Sequence, residues 1–229
     1  MMSVSSRPLR PGDQAPSFAL PAVNRDGQVG LDDYRGKAPV LVALFRGVHC
    51  PFCRRHVVQL GMTREKLARQ GVETLVIVNT PAERARQYFQ YRPTPVLLAA
   101  DPEVRTHQAF GLPKVVLVPD DTDPATLHWP QATMAQFLAP RFNPNGELPE
   151  AKNIVEASEM LNRKDGFEPN EVDQQIMAAH GTQVEGEFLI DVHGTVRWTY
   201  VEGAGGLREI PNFPPSDDQV LAAVEAMSR

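Results

Sequence analysis

Cys50 and Cys53 are the two cysteines of a 229-residue chain, three positions apart in Arg46-Gly47-Val48-His49-Cys50-Pro51-Phe52-Cys53-Arg54-Arg55-His56. Thiols at that spacing on the first turn of a helix face one side of it, with alpha carbons inside the ~4.4–6.8 Å that a disulfide requires. The chemistry open to them is a reversible dithiol-disulfide cycle. Pro51 at the first helical position costs no hydrogen bond, which leaves Cys50 as the exposed cap and Cys53 one turn inside. An attacking and a resolving thiol follow from that asymmetry. Unpaired amide groups and the macrodipole at a helix start favour anionic sulfur, and Arg46, Arg54 and Arg55 add positive charge, so Cys50 is expected to be a thiolate near neutral pH. His49 is read as a shaper of the Cys50 environment and His56 as a helix-surface residue. Zinc would need four ligands, and Cys50, Cys53, His49 and His56 lie too close along one helix to close a tetrahedron. No metal or cofactor is expected, and Gly203-Ala204-Gly205-Gly206 reads as a loop.

A junction of this kind needs a buried strand before it and a helix after it. Val40–Phe45 is an unbroken apolar run that fits a parallel strand covered on both faces, and a helical stretch runs from Pro51 to about Gln70. Thr74–Asn79 reads as a second strand, Pro81–Tyr91 as a helix, Val96–Ala99 as a third strand and Pro102–Phe110 as a short helix closed by Gly111. Upstream, Met1–Pro16 is extended, and Ser17–Leu20 and Gln28–Leu31 flank the turn signal Asn24-Arg25-Asp26-Gly27. Near the end, Glu187–Asp191 and Val196–Val201 form a hairpin through His193-Gly194, and Ser216 caps a helix over Asp217–Met227. The class is α/β.

Between these units, Asp120–Thr182 carries six prolines and 11 acidic against 4 basic residues, preceded by the apolar run Val115–Val118. Ala151, Ile154, Val155 and Leu161 fall on one helical face, and Val172, Ile176 and Ala179 on another, so packed helices are expected in an insertion over about 115–182. The whole chain, 1–229, is read as one domain with that elaboration.

Composition narrows the function classes. With 42% apolar and 22% charged residues and a net charge of -5, the chain reads as an ordinary globular protein. Val40–Phe45 is the longest apolar run, against roughly 20 residues for a membrane span, so no membrane helix and no signal peptide are expected. Residues 1–70 hold 11 Lys+Arg against 5 Asp+Glu, a basic end without a stripe or aromatic-studded strand, and nucleic acid is not expected as a partner. Two cysteines staple no secreted scaffold, which points to the cytoplasm.

Pro11-Gly12-Asp13-Gln14-Ala15-Pro16-Ser17-Phe18-Ala19-Leu20 and Leu31-Asp32-Asp33-Tyr34-Arg35-Gly36-Lys37 resemble the opening of the alkyl hydroperoxide reductase / thiol-specific antioxidant family. Phe188-Leu189-Ile190-Asp191-Val192-His193-Gly194-Thr195-Val196-Arg197 resembles its later strands, and the cysteine motif its two-cysteine, peroxiredoxin-like branch. The resemblance covers 8–111 and 185–229. It implies a thioredoxin-like fold, a central mixed sheet flanked by helices, with the helical insertion before the last hairpin. Typical members place Pro and Thr seven and three residues before the peroxidatic cysteine, where this chain has Ala43 and Gly47. Arg46 stands as the replacement for a missing positive charge. Glu185 occupies a place where the family expects Arg or a cis-proline, and if it faces the sulfurs it would serve as a proton shuttle to Cys53.

The reading that follows is a peroxiredoxin-like thiol oxidoreductase. Cys50 would attack a peroxide, Cys53 would close the disulfide, and an external thioredoxin- or glutaredoxin-like dithiol would reopen it. A dithiol-disulfide oxidoreductase is the alternative, and a non-catalytic interaction module the alternative of another class. The acidic insertion is expected to fold over the cysteine face as a lid or to contribute to a homodimer contact.

Overall fold

Alternation along the buried strands determines what packs where. The computed structural model describes residues 4–227, so Met1–Ser3 of the opening segment and the last two residues lie outside it. A short antiparallel hairpin, β1 (Ala19–Pro21) with β2 (Gln28–Gly30), leads into β3 (Val40–Phe45), whose six residues are all buried. The long helix α1 (Pro51–Arg69) follows, then β4 (Glu73–Val78), α2 (Ala82–Gln90), β5 (Leu97–Ala100) and the short α3 (Arg105–Ala109). These match the repeated strand-helix units read from the sequence to within a few residues.

The next segment holds a small parallel pair, β6 (Val116–Val118) and β7 (Gln131–Thr133), followed by α4 (Met134–Leu138), α5 (Ile154–Asp165) and α6 (Glu171–His180). The chain returns to the main sheet with β8 (Gly186–Ile190) and β9 (Val196–Val201) and closes on α7 (Asp217–Met227). Ser216 caps α7 as expected: its hydroxyl accepts from the Gln219 amide at 3.3 Å while Gln219 Oε1 accepts from the Ser216 amide at 2.9 Å.

The main sheet has the order β5-β4-β3-β8-β9, parallel from β5 to β3 and antiparallel from β3 to β9. Leu41, Ala43, Phe45, Val76 and Leu189 point to the face covered by α1, α2, α5 and α7, where they meet Val57, Leu60 and Val224. Val42, Leu44, Ile77, Phe188 and Ile190 point to the other face, against Phe110, Leu112 and the Phe18–Val29 hairpin. The fold is thus α/β with a mixed sheet flanked by helices, and no helix among the described residues is long and apolar enough to cross a membrane.

Two helical faces in the segment between α3 and β8 differ from expectation. In α5 it is Ala157 and Leu161 that are buried, while Val155 is half exposed on the wall of a cavity. In α6 the buried residue is Asp173, held by Arg84 of α2 at 2.5–3.2 Å, and Ala179 faces outward. A buried ion pair replaces the apolar seam there.

Candidate active site

The end of β3 and the start of α1 place the sulfurs. Pro51 opens α1, Cys50 is its cap, and the Cys53 amide donates to Cys50 Sγ at 3.2 Å. Cys50 and Cys53 are joined in a disulfide with alpha carbons 5.3 Å apart. The expected exposed cap is nearly covered: Cys50 is 6% exposed and Cys53 2%. Cys50 nevertheless borders a cavity of about 470 Å³ whose lining does not include Cys53. One sulfur can meet a visitor and the other waits behind it.

Because β8 runs antiparallel to β3 and begins opposite Leu44, the residue before it comes to lie under the start of α1. That residue is Glu185, fully buried, with Oε1 at 2.7 Å from Cys53 Sγ and 3.9 Å from Cys50 Sγ. Arg46 Nε lies 2.8 Å from the same oxygen, and the rest of its guanidinium donates to both oxygens of Glu202 at 2.9 and 3.0 Å and to the Gln183 carbonyl at 2.8 Å. Burial opposes ionisation of Glu185, yet Arg46 and His56 outweigh it and hold the carboxyl below its usual range. Burial pushes the Glu202 carboxyl the other way, up.

His56 is not a surface residue. Its ring lies edge-on between Phe45 and Phe213, with centroids 5.5 and 5.3 Å away, and Nδ1 is 3.3 Å from Glu185 Oε2. Phe213, 157 positions further along the chain, supplies the cover that no local pattern announces. His49 borders the cavity, and burial followed by the charge of Arg46 pushes its pKa down to about 4, so the imidazole is neutral at physiological pH.

The arginines do not form a free cationic cluster. Arg54 donates to the Val48 carbonyl, Asn162 and Asp165 and lies 4.3 Å over the Phe167 ring; Arg55 forks onto Glu147 and Asp165. Both therefore clamp the segment between α3 and β8 to α1 instead of facing sulfur. Their positions on the helix turn them away from Cys53, and Glu147 and Asp165 neutralise them. The expected gathering of three positive charges reduces to Arg46, itself shared between two carboxylates.

Gly47 stands where the family pattern has threonine, and the neighbourhood leaves no room for a side chain. A Cβ there would come within 2.1 Å of Thr80 Oγ1, which accepts the Val48 amide at 3.0 Å. The departure is built into the packing of the loop after β4.

The segment between α3 and β8 walls the cavity with Phe137, Ile154, Val155 and Met177, opposite Arg46, His49, Cys50, Pro51 and Phe52. The hydrogen bonds from Arg55 hold the Glu147 carboxyl down at about 2, against its ordinary 4.5. A carboxyl lowered on folding contributes stability that is present above its ordinary value and lost as pH falls through the folded one. Acidification from pH 4.5 toward 2 is therefore expected to loosen the segment around Glu147 and α5 first. Amide-exchange protection in α5 should fall before that of the sheet; simultaneous loss would contradict the clamp.

Among the described residues, Cys50, Cys53 and Glu185 are the one set of metal-ligating groups whose atoms lie within 4.8 Å of each other. The sulfurs of that set are bonded to each other and the carboxylate is engaged by Arg46.

Glu202 and Glu187 escaped the sequence reading. Glu187 is an acidic residue inside a strand whose five residues are all buried, and that conflict between residue and surroundings is the signal that could have found it.

A family model described as the AhpC/TSA family matches residues 11–133. The chain is 30% identical over 106 residues to peroxiredoxin Bcp of Escherichia coli K12, an alignment that spans 46% of this chain and 66% of that protein. Among solved structures, a Plasmodium vivax 2-Cys peroxiredoxin superposes with a TM-score of 0.56 at 15% identity, covering 96% of this chain and 83% of that one. Peroxidoxin BcpB of Mycobacterium tuberculosis gives 0.55 at 12% identity, over 96% and 98%. Those likenesses show a shared fold, the thioredoxin-like arrangement of peroxiredoxins.

Proposed function

Because the chain belongs to the AhpC/TSA family, we propose that it is a thiol peroxidase working through a Cys50/Cys53 dithiol-disulfide cycle. The observation that carries this reading is the bonded pair itself: Cys50 borders the cavity while Cys53 lies behind it against Glu185. In the reduced protein the Cys50 thiolate, held by the Cys53 amide, attacks a peroxide oxygen; an alcohol or water leaves and a sulfenic acid remains. Cys53 then attacks the Cys50 sulfur, its proton passing by way of Glu185 to the departing hydroxyl, which leaves as water. An external thioredoxin- or glutaredoxin-like dithiol reopens the bridge.

Arg46 in this scheme holds Glu185 ionised and in place. Neutral His49 offers a hydrogen-bonding ring beside Cys50, Pro51 presets the turn, and Arg54 fastens the inserted wall. One domain with an insertion over 115–182, a cytoplasmic setting and assembly as a homodimer complete the proposal. Only two cysteines, both in one closely spaced motif and too few for a disulfide framework, support that setting.

A second reading, a dithiol-disulfide oxidoreductase, is favoured by Gly47, where no side-chain hydroxyl orients a peroxide. Coupled assay of peroxide loss against dithiothreitol separates the two. The peroxidase consumes one dithiol per peroxide, and the alternative consumes dithiol only when a disulfide substrate is added.

A further inference from the structure

Glu187 is 1% exposed, and neither carboxyl oxygen has a hydrogen-bond partner in the protein. The other buried acids are satisfied: Asp173 by Arg84, Glu202 by Arg46, Asp191 by Arg197 and by the amides of His193 and Thr195, and Asp101 by the Thr106 amide. A buried carboxylate without a partner is far costlier than an apolar side chain, so this group is protonated and contributes nothing to stability that leucine would not. Its place suggests why it is there. Alternation along β8 puts Glu187 on the same face as Leu189, the side of the sheet covered by α1 and α7, two residues after Glu185 at the mouth of the strand.

The groups facing it offer no cation to ionise it. Just ahead of its own strand stands Glu185, backed by Arg46 and His56; directly opposite on β9 is Tyr200, and its partner on β3 is Ala43. From α7 comes Asp217, already bonded to Thr63 and Lys66 of α1. Burial, then the charges of Glu185 and Asp217, push the Glu187 carboxyl up to about 8.

We propose that Glu187 is a proton store acting through Glu185 on the Cys50/Cys53 pair, supplying the proton that Cys53 needs as the disulfide opens. The inference rests on the dithiol-disulfide cycle above. A reductant thiolate bonds to Cys50 Sγ, the Cys50–Cys53 bond breaks, and its electron pair goes to Cys53 Sγ. Unprotonated, that sulfur would lie 2.7 Å from ionised Glu185, two anions against an Arg46 already shared with Glu202. A proton passes from Glu187 to Glu185 and on to Cys53, leaving Glu187 ionised. The second reductant thiolate attacks the mixed disulfide and releases Cys50. The reductant loses two electrons, the pair gains two, and a proton given up by the reductant's ionising thiols restores Glu187.

The test is reduction of the oxidised protein by dithiothreitol, with rates expressed per dithiothreitol thiolate from pH 6 to 9.5. The wild type should be flat and then fall above about 8, as the store empties. Glu187→Gln should be about tenfold slower at pH 7 and lose the inflection. Glu187→Leu, which suits the apolar surroundings, should do the same while melting no lower than the wild type, and it carries the test if the glutamine variant misfolds. A folded variant with the wild-type rate and inflection would overturn the proposal. A wild-type disulfide that dithiothreitol cannot open would instead overturn the dithiol-disulfide cycle beneath it.

Discussion

Cys50→Ser is expected to lower peroxide-dependent dithiol oxidation by about 10⁴-fold or more, the usual scale for removing a covalent nucleophile. Three features single out this sulfur. It borders the cavity, it caps α1 where backbone amides lack partners, and it accepts the Cys53 amide at 3.2 Å. A hydroxyl placed there cannot ionise near neutral pH, so neither sulfenic acid nor mixed disulfide can form. Cys53→Ser should behave differently. It keeps the first step and loses the second, so one equivalent of peroxide should leave a sulfenic acid on Cys50 that a dimedone probe captures. Iodoacetamide at pH 6 should label Cys50 of the reduced protein ahead of Cys53. Preferential labelling of Cys53, or turnover by Cys50→Ser, would reverse the assignment.

The second large effect is on stability. Arg46 is 8% exposed and lies between two buried carboxylates, with every contact at 2.8–3.0 Å. Replacing it by methionine keeps much of the side-chain volume and strands Glu185 and Glu202 without a cation. Breaking a buried pair by removing one partner costs about 3–5 kcal/mol, so the melting temperature should fall by roughly 10 °C. Adding Glu202→Gln to Arg46→Met should recover part of the loss, since partners in one network are not additive. A melting temperature within about 2 °C of the wild type, on the scale of roughly 2–4 °C per kcal/mol for a chain of this size, would show that the network carries little.

The strands and the long helix around the cysteines were legible because their signals are local: an apolar run, a Cys-Pro turn, a helical period. What the sequence could not display is pairing across long separations. Three arginines beside the cysteines look like a cationic cluster until Glu147 and Asp165 arrive from the segment between α3 and β8 and Glu202 from beyond β9. His56 reads as a polar helix residue until Phe213 covers it. Val155 fits an apolar stripe, but α5 turns it toward the cavity that Cys50 also borders. Glu185 was legible only through the family resemblance, which marks its place ahead of the later strand; the antiparallel pairing of β8 with β3 is what brings that end back to the start of α1.

A thiol peroxidase requires Cys50 to react with peroxide as an enzyme's nucleophile. Stopped-flow mixing of the fully reduced protein with hydrogen peroxide and with an alkyl hydroperoxide, under second-order conditions at pH 7, measures this directly. A rate constant at least about 100-fold above that of a free cysteine thiol, for either peroxide and lost in Cys50→Ser, is the expected result. A rate no faster than free cysteine with both peroxides, while dithiothreitol still opens the Cys50–Cys53 bridge rapidly, would contradict the peroxidase reading and leave disulfide exchange in its place.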